Sequence, residues 1–335
     1  MMETALAELE LTAPAVPESA GRFMPSAEDS LGLGLLKMLR EAVAGISPEL
    51  ESAMGVCLGV LCAVVLVSVV KNTASAAAKS SVLVGVAAVS VLLLRASNSM
   101  ILLAEQTVSE ISEYGKLLIP VMTTALAAQG GVSSSAALCG GAVVCNTVLS
   151  QLIVRLLIPM VNVFLALAIG AGAIGEELLK KLQETVKWLI CWSLKILLYG
   201  FTGFLSMTGV ISGSADSAAL KAAKMTISGV VPVVGGILSN ASEAVLVGAS
   251  VVKNSVGVYG LLALSAILIG PFIHLGVHYL MLKATGALCG LFAEKAVTEV
   301  IEAFSSALGL LLAMTGSICL MLIISTVCFM RGVGM

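Results

Sequence analysis

The 335 residues are 59% apolar and 11% charged, and mean hydropathy is +1.08. A soluble domain carries about a quarter charged residues, so this chain cannot cover a water-facing surface and is read as an all-α polytopic membrane protein whose main partner is the lipid bilayer. A formal net charge of −2, no basic stripe and 4% aromatics exclude a nucleic-acid partner and leave only a sparse aromatic belt.

Residues 1–53 form an acidic N-terminal segment with nine acidic and three basic side chains. Pro14, Pro17 and Pro25 keep its first part irregular. Leu31 to Ile46 predicts a short amphipathic helix that ends near Ser47-Pro48. No basic n-region precedes an apolar core, so no signal peptide is expected. The segment's charge places it outside the cytoplasm.

Residues 54–335 form the transmembrane domain. Met54 to Val70 is the first span, short for a core of about 30 Å. Lys71 to Lys79 is a small loop, and Ser80 to Leu103 is the second span, with Arg95 inside it. Glu105, Glu110, Glu113 and Lys116 mark an acidic loop. Leu117 to Ala128 is apolar but, at about 12 residues, too short to span. It contains Pro120, breaks at Gln129-Gly130-Gly131 and restarts through Ser133, Ser134 and Ser135 toward Leu149. Two short arms around a Gly/Ser break predict a broken or re-entrant helical hairpin, tolerated at membrane depth only against protein or a wet cavity.

Gln151 to Gly175 spans again, carrying Arg155, Pro159 and Asn162. Glu176 to Trp188 predicts an amphipathic helix at the interface. Ile190 to Ile211 is a span. Val230 to Val252 repeats the broken pattern, with Pro232, Gly235-Gly236 and Ser239-Asn240. Ser255 to Lys283 spans with Pro271, His274 and His278. Leu291 to Phe304 is amphipathic, and residues 305–330 form the last span. The total is about six transmembrane helices plus two hairpins.

The two broken regions align at an offset of about 112 residues, with Pro120 on Pro232 and Pro159 on Pro271. Repeat one covers about 80–190 and repeat two about 192–304. Paired broken segments in two halves point to a transporter-like central site. Lys71, Lys79, Lys180, Lys181 and Lys187 place their loops in the cytoplasm. If the first hairpin is re-entrant and makes no crossing, six spans then put both termini outside. Lys221 and Lys224 would also lie outside, which counts against this topology.

The eight cysteines lie mostly in apolar runs without C-x-x-C spacing, so they read as small buried hydrophobes rather than as a metal or disulfide framework. No P-loop, H-E-x-x-H or G-x-S-x-G occurs, so neither an enzyme nor an ATP-driven pump is expected, and no cofactor is. His274 and His278 share a helical face at i, i+4, but no nearby carboxylate or cysteine completes a metal set. They read as an interhelical contact or cavity lining, with proton handling as the sharper alternative.

Glu243 is the most informative acid. At membrane depth an ionised carboxylate costs about 3 kcal/mol unless paired or wet. It reads either as a solvated hairpin-tip residue or as part of a polar cavity with Ser239, Asn240 and Ser242, facing Gln129 and Ser133 to Ser135. Asn146, Asn162, Lys253 and Asn254 are secondary candidates, with interhelical hydrogen bonding as the default. Asp216 reads as a helix cap.

Several short stretches carry a resemblance. They are Ser112-Glu113-Tyr114-Gly115-Lys116 running to Pro120 and Gly130-Gly131; Ala215-Asp216-Ser217-Ala218 with Lys221 and Lys224; Val231-Pro232 to Gly236; and Lys253-Asn254 to Gly257. In order and spacing, from Tyr114 onward, the chain resembles the stage III sporulation protein AE family of endospore-forming bacteria. The resemblance implies a bacterial multi-pass subunit of the mother-cell membrane, facing the forespore. It would belong to the trans-envelope channel complex, described as a feeding or secretion-like apparatus, with ATPase and ring proteins supplied by other subunits and homo-oligomerisation open. Family members usually begin with a cleavable signal peptide, and the chain departs from the family there. The rival reading is an autonomous ion-coupled secondary transporter of a small solute, and a structural scaffold is the third.

Overall fold

In the computed structural model the described residues are 16–21, 23–24, 31–73, 78–128, 132–230 and 235–331. Over 207–254 and around 71–81 and 128–138, mostly the backbone alone is described. All regular structure among the described residues is helical. A single turn, α1 (Glu18–Gly21), precedes α2 (Leu31–Ala44) and α3 (Ile46–Thr73). Then come α4 (Ala78–Ala128), α5 (Val132–Leu152), a π-helical turn (Ile153–Leu157) and α6 (Ile158–Ile174). The long helices α7 (Glu177–Val230), α8 (Gly235–Cys289) and α9 (Lys295–Arg331) complete the order. Six stretches are long and apolar enough to cross a membrane: Ile46–Val70, Val82–Ala127, Cys139–Ile174, Glu177–Ser206, Ser255–Cys289 and Lys295–Met330.

Contacts between helices fix how these stretches run. A Cβ on Gly85 would lie 2.8 Å from Val67 and 3.5 Å from Val297, so the end of α3 and the starts of α4 and α9 stand together. Gly172, near the end of α6, packs on Val86 and Val300. At the opposite end, Met122 and Met330 close over Gly257. The helices therefore alternate in direction. The joins after α3, α6 and α8 gather at one end, called here the basic end because Lys180 and Lys295 stand there. The joins after α4 and α7 lie at the other, the hairpin end. Helix α9 is the centre of the bundle and packs on α8, α4 and α6. Its buried line includes Ile301, Phe304, Leu308, Leu311, Ile318 and Leu322.

Four expectations need correction. Residues 105–116, expected as an acidic loop, lie within α4. The charges sit on its outer face, where Gln106 Nε2 donates to Glu110 Oε1 at 2.8 Å. Meanwhile Val108, Ile111, Tyr114 and Leu118 continue the buried face through the same stretch. Apolar periodicity outweighs the charge count. The first hairpin arm, 117–128, is consequently the end of the same helix as the 80–103 span.

Helix α2 stops at Ala44, with Gly45 N–H on the Glu41 carbonyl at 2.9 Å, rather than at Ser47-Pro48. Pro48 opens α3, where a first-turn proline loses no intrahelical bond. Residues 176–188 and most of 291–304 are not separate interfacial helices. They are the charged starts of α7 and α9. The break at 129–131 lies outside the described residues.

Two local features shape the α5–α7 region. The π-helical turn stands just before Pro159, which has no N–H for the Arg155 carbonyl; Ile158 N–H reaches back to the Ile153 carbonyl instead. Gly175 ends α6 in the left-handed region (φ 77°), with its N–H on the Ala171 carbonyl at 2.8 Å. This conformation costs a glycine little.

Candidate functional site

The residues expected at the hairpin tips divide by position. Gln129 lies outside the described residues. Ser133, Ser134 and Ser135 are in the first turn of α5. Ser239, Asn240, Ser242 and Glu243 are in the opening turns of α8, with Lys253 and Asn254 further along it. The side chains of all nine, and with them the expected polar cavity, lie outside the described residues. Asn162 is exposed on α6.

Asn146 is fully buried on α5, and its Nδ2 donates to the Ser112 carbonyl of α4 at 3.2 Å. That carbonyl belongs to the Ser112–Lys116 stretch, and the fit is close. A Cβ on Gly115 would lie 3.1 Å from Asn146 Nδ2 and 2.8 Å from both methyl carbons of Leu322. The missing side chain at 115 thus lets α4, α5 and α9 meet. Among the described residues, Asn146 Oδ1 and the Tyr114 hydroxyl are buried without a hydrogen-bond partner. Such groups cost free energy unless water or a further donor reaches them.

The histidines form the second polar centre. Their rings stack in parallel, with centroids 4.9 Å apart, and His278 Nδ1 stands 3.0 Å from the His274 carbonyl. Here the sequence reading is corrected. A carboxylate does approach, since His274 Nδ1 lies 2.6 Å from Glu49 Oε2 in the first turn of α3. It comes from far away in sequence, so no local spacing could reveal it. The contact fastens α3 to α8. Among the described residues no group of three His, Cys, Asp or Glu side chains is placed to hold a metal.

A third polar centre, not foreseen, lies at the basic end. A groove of about 290 Å³ opens between α6, α7 and α9, with Lys180, Lys187, Glu184, Glu299 and Glu302 on its walls. Lys180 Nζ pairs with Glu299 Oε2 at 2.6 Å, and Lys187 Nζ reaches Ser306 Oγ at 3.5 Å. The two stretches expected as interfacial helices thus clasp each other through their polar faces. Exposed Trp188 and Trp192 stack beside them at 5.6 Å. These centres hold helices together, and the groove at the basic end opens outward. None contains a nucleophile–base pair or a nucleotide cradle.

Comparisons with known proteins extend this picture. The family model for stage III sporulation protein AE matches residues 23–332. The protein named stage III sporulation protein AE from Bacillus subtilis (strain 168) is 24% identical over 170 residues, 51% of this chain and 43% of that relative. The match thus covers less than half the relative's length. No solved structure matches.

Proposed function

Since the chain belongs to the stage III sporulation protein AE family, we propose that it is a membrane subunit of the mother cell–forespore channel complex, with a transporter-like core, working only with other subunits. The observation that carries this reading is the length of its helices. Helices α4, α7 and α8 have 51, 54 and 55 residues, or roughly 75–85 Å at 1.5 Å per residue, against a bilayer core of about 30 Å. A bundle of that length standing in one membrane projects well beyond it, as a connection across an envelope requires.

The basic end belongs in the mother-cell cytoplasm on this reading, as its lysines favour. The Trp188–Trp192 pair suits a membrane interface. The hairpin ends then point toward the forespore. The 112-residue repeat and a polar cavity around Glu243 are parts of the same proposal, and they would place a wet path between the hairpin tips.

The test separates this role from an autonomous transporter. Purified alone and reconstituted in liposomes, the chain should take up no solute under a proton or sodium gradient. Expressed during sporulation, it should co-purify with other membrane proteins of the complex. Gradient-driven uptake by the isolated chain would assign it to the secondary transporters instead.

A further inference from the structure

The outer face of α4 is unusual for a membrane helix. Arg95, Asn98 and Gln106 are exposed on it at helical spacing, all within the span-like stretch Val82–Ala127. The adjoining hairpin partner repeats the pattern, with Gln151, Arg155 and Asn162 exposed within Cys139–Ile174. Neither arginine has an ion-pair partner among the described residues. Along α4, Arg95 stands about 24 Å from Lys79 and about 15 Å from Glu105, too far from either end of the apolar stretch for its side chain to reach water unaided. An arginine left facing lipid near a helix centre costs about 2.5–3.5 kcal/mol. Arg95 would carry that penalty on a face meant for acyl chains, whereas Arg155 stands close to the height at which the charges of α4 begin.

We propose that the outer face of α4 with α5–α6 is a protein contact, and that its occupant is a second copy of this chain. Charge complementarity selects that occupant. Helices α4 and α5 run antiparallel in the register set by Asn146 on Ser112. Counting from that pair, Arg155 stands level with Leu103, about 3 Å along the helix from Glu105. If α4 of one copy meets α5–α6 of the next, Glu105 and Arg155 come close enough in height for their side chains to pair, and the amides of Asn98, Gln106, Gln151 and Asn162 supply the hydrogen bonds. Such a contact is heterologous, so repetition with a closing rotation gives a ring. It rests on the membrane placement of the chain, not on its channel role. Its failure would leave the co-purification test above intact.

Leu102, 65% exposed between Asn98 and Gln106, reports on this contact, and Leu58, 60% exposed on α3, serves as a lipid-facing control. In full-length protein lacking its native cysteines, a copy carrying Leu102→Cys co-expressed with a copy carrying Leu156→Cys, exposed at the matching height, should form covalent dimers in membranes with a short bifunctional thiol reagent, whereas neither variant should do so alone. Leu58→Cys co-expressed with Leu156→Cys should remain monomeric. Arg155→Glu should abolish the Leu102→Cys adduct, and adding Glu105→Arg should restore it. The unmodified protein in lipid nanodiscs should have the mass of more than one copy, a measurement that needs no variant. A monomeric mass would overturn the proposal. So would equal adducts at positions 58 and 102, or an adduct indifferent to the charge reversal.

Discussion

Glu243→Gln is expected to leave the protein at normal level in the membrane and yet lower the spore titre by about tenfold or more. The substitution keeps the shape of the side chain and removes its charge. The residue lies in the opening turns of α8, next to Ser239, Asn240 and Ser242, in an otherwise apolar run. A carboxylate retained there needs water, a cation or a donor. A role in a wet path predicts loss of function without loss of protein. Glu243→Leu should be as severe or worse. Normal spore titres from both variants would return Glu243 to a solvated surface residue and remove the main support for a polar cavity at the hairpin tips.

Gly115→Val is expected to fail in another way, through folding. A Cβ there already falls within 3.1 Å of Asn146 and 2.8 Å of Leu322. Valine adds two methyl groups between α4, α5 and α9, and overpacking of this kind costs about 1–3 kcal/mol. The clash also threatens the Asn146–Ser112 hydrogen bond, the described side-chain link between α5 and α4. The thermal midpoint in detergent should drop by several degrees, or the protein should fail to accumulate. Gly59→Ala on α3, where a Cβ meets nothing within 4 Å, should be neutral or stabilising, since alanine favours helix by about 1 kcal/mol over glycine. Equal behaviour of the two variants would contradict the packing described for the α4–α5–α9 junction.

The contrast between legible and illegible features has a physical basis. Apolar runs of span length are read by counting, because bilayer thickness sets one length scale; the spans near 54–70, 190–211 and 305–330 follow directly. Turn residues located the stop at Gly175, whereas Gly235-Gly236 and Ser239-Asn240, expected in the second break, lie within α8, and Pro232 lies outside the described residues. Residues 105–116 misled because charge density suggests a loop, whereas the buried face of α4 continues at Val108, Ile111 and Leu118 regardless. The amphipathic starts of α7 and α9 misled similarly. Their polar faces are turned to each other through Lys180 and Glu299, and a moment on one helix does not say whether water, headgroups or another helix receives it.

The sites divide along the same line. His274 and His278 were legible as a pair because the helical repeat fixes i, i+4 neighbours. Their partner Glu49 was not, because tertiary contacts between remote segments leave no spacing signal. Asn146 was legible only as a polar residue in an apolar run. That it meets the Ser112 carbonyl beside Gly115 depends on the register of two antiparallel helices, which no single helix encodes.

The central claim is a six-crossing bundle with its lysine-bearing joins in the cytoplasm and its hairpin joins on the other side of the membrane. Single cysteines introduced by Gln129→Cys, at the join of α4 and α5, and by Lys181→Cys, in the first turns of α7, test it most directly in a background without native cysteines. With a membrane-impermeant thiol reagent, position 129 should be labelled from outside the mother-cell membrane, and position 181 only after the cytoplasmic face is opened. Labelling of both positions from the same side would contradict the account.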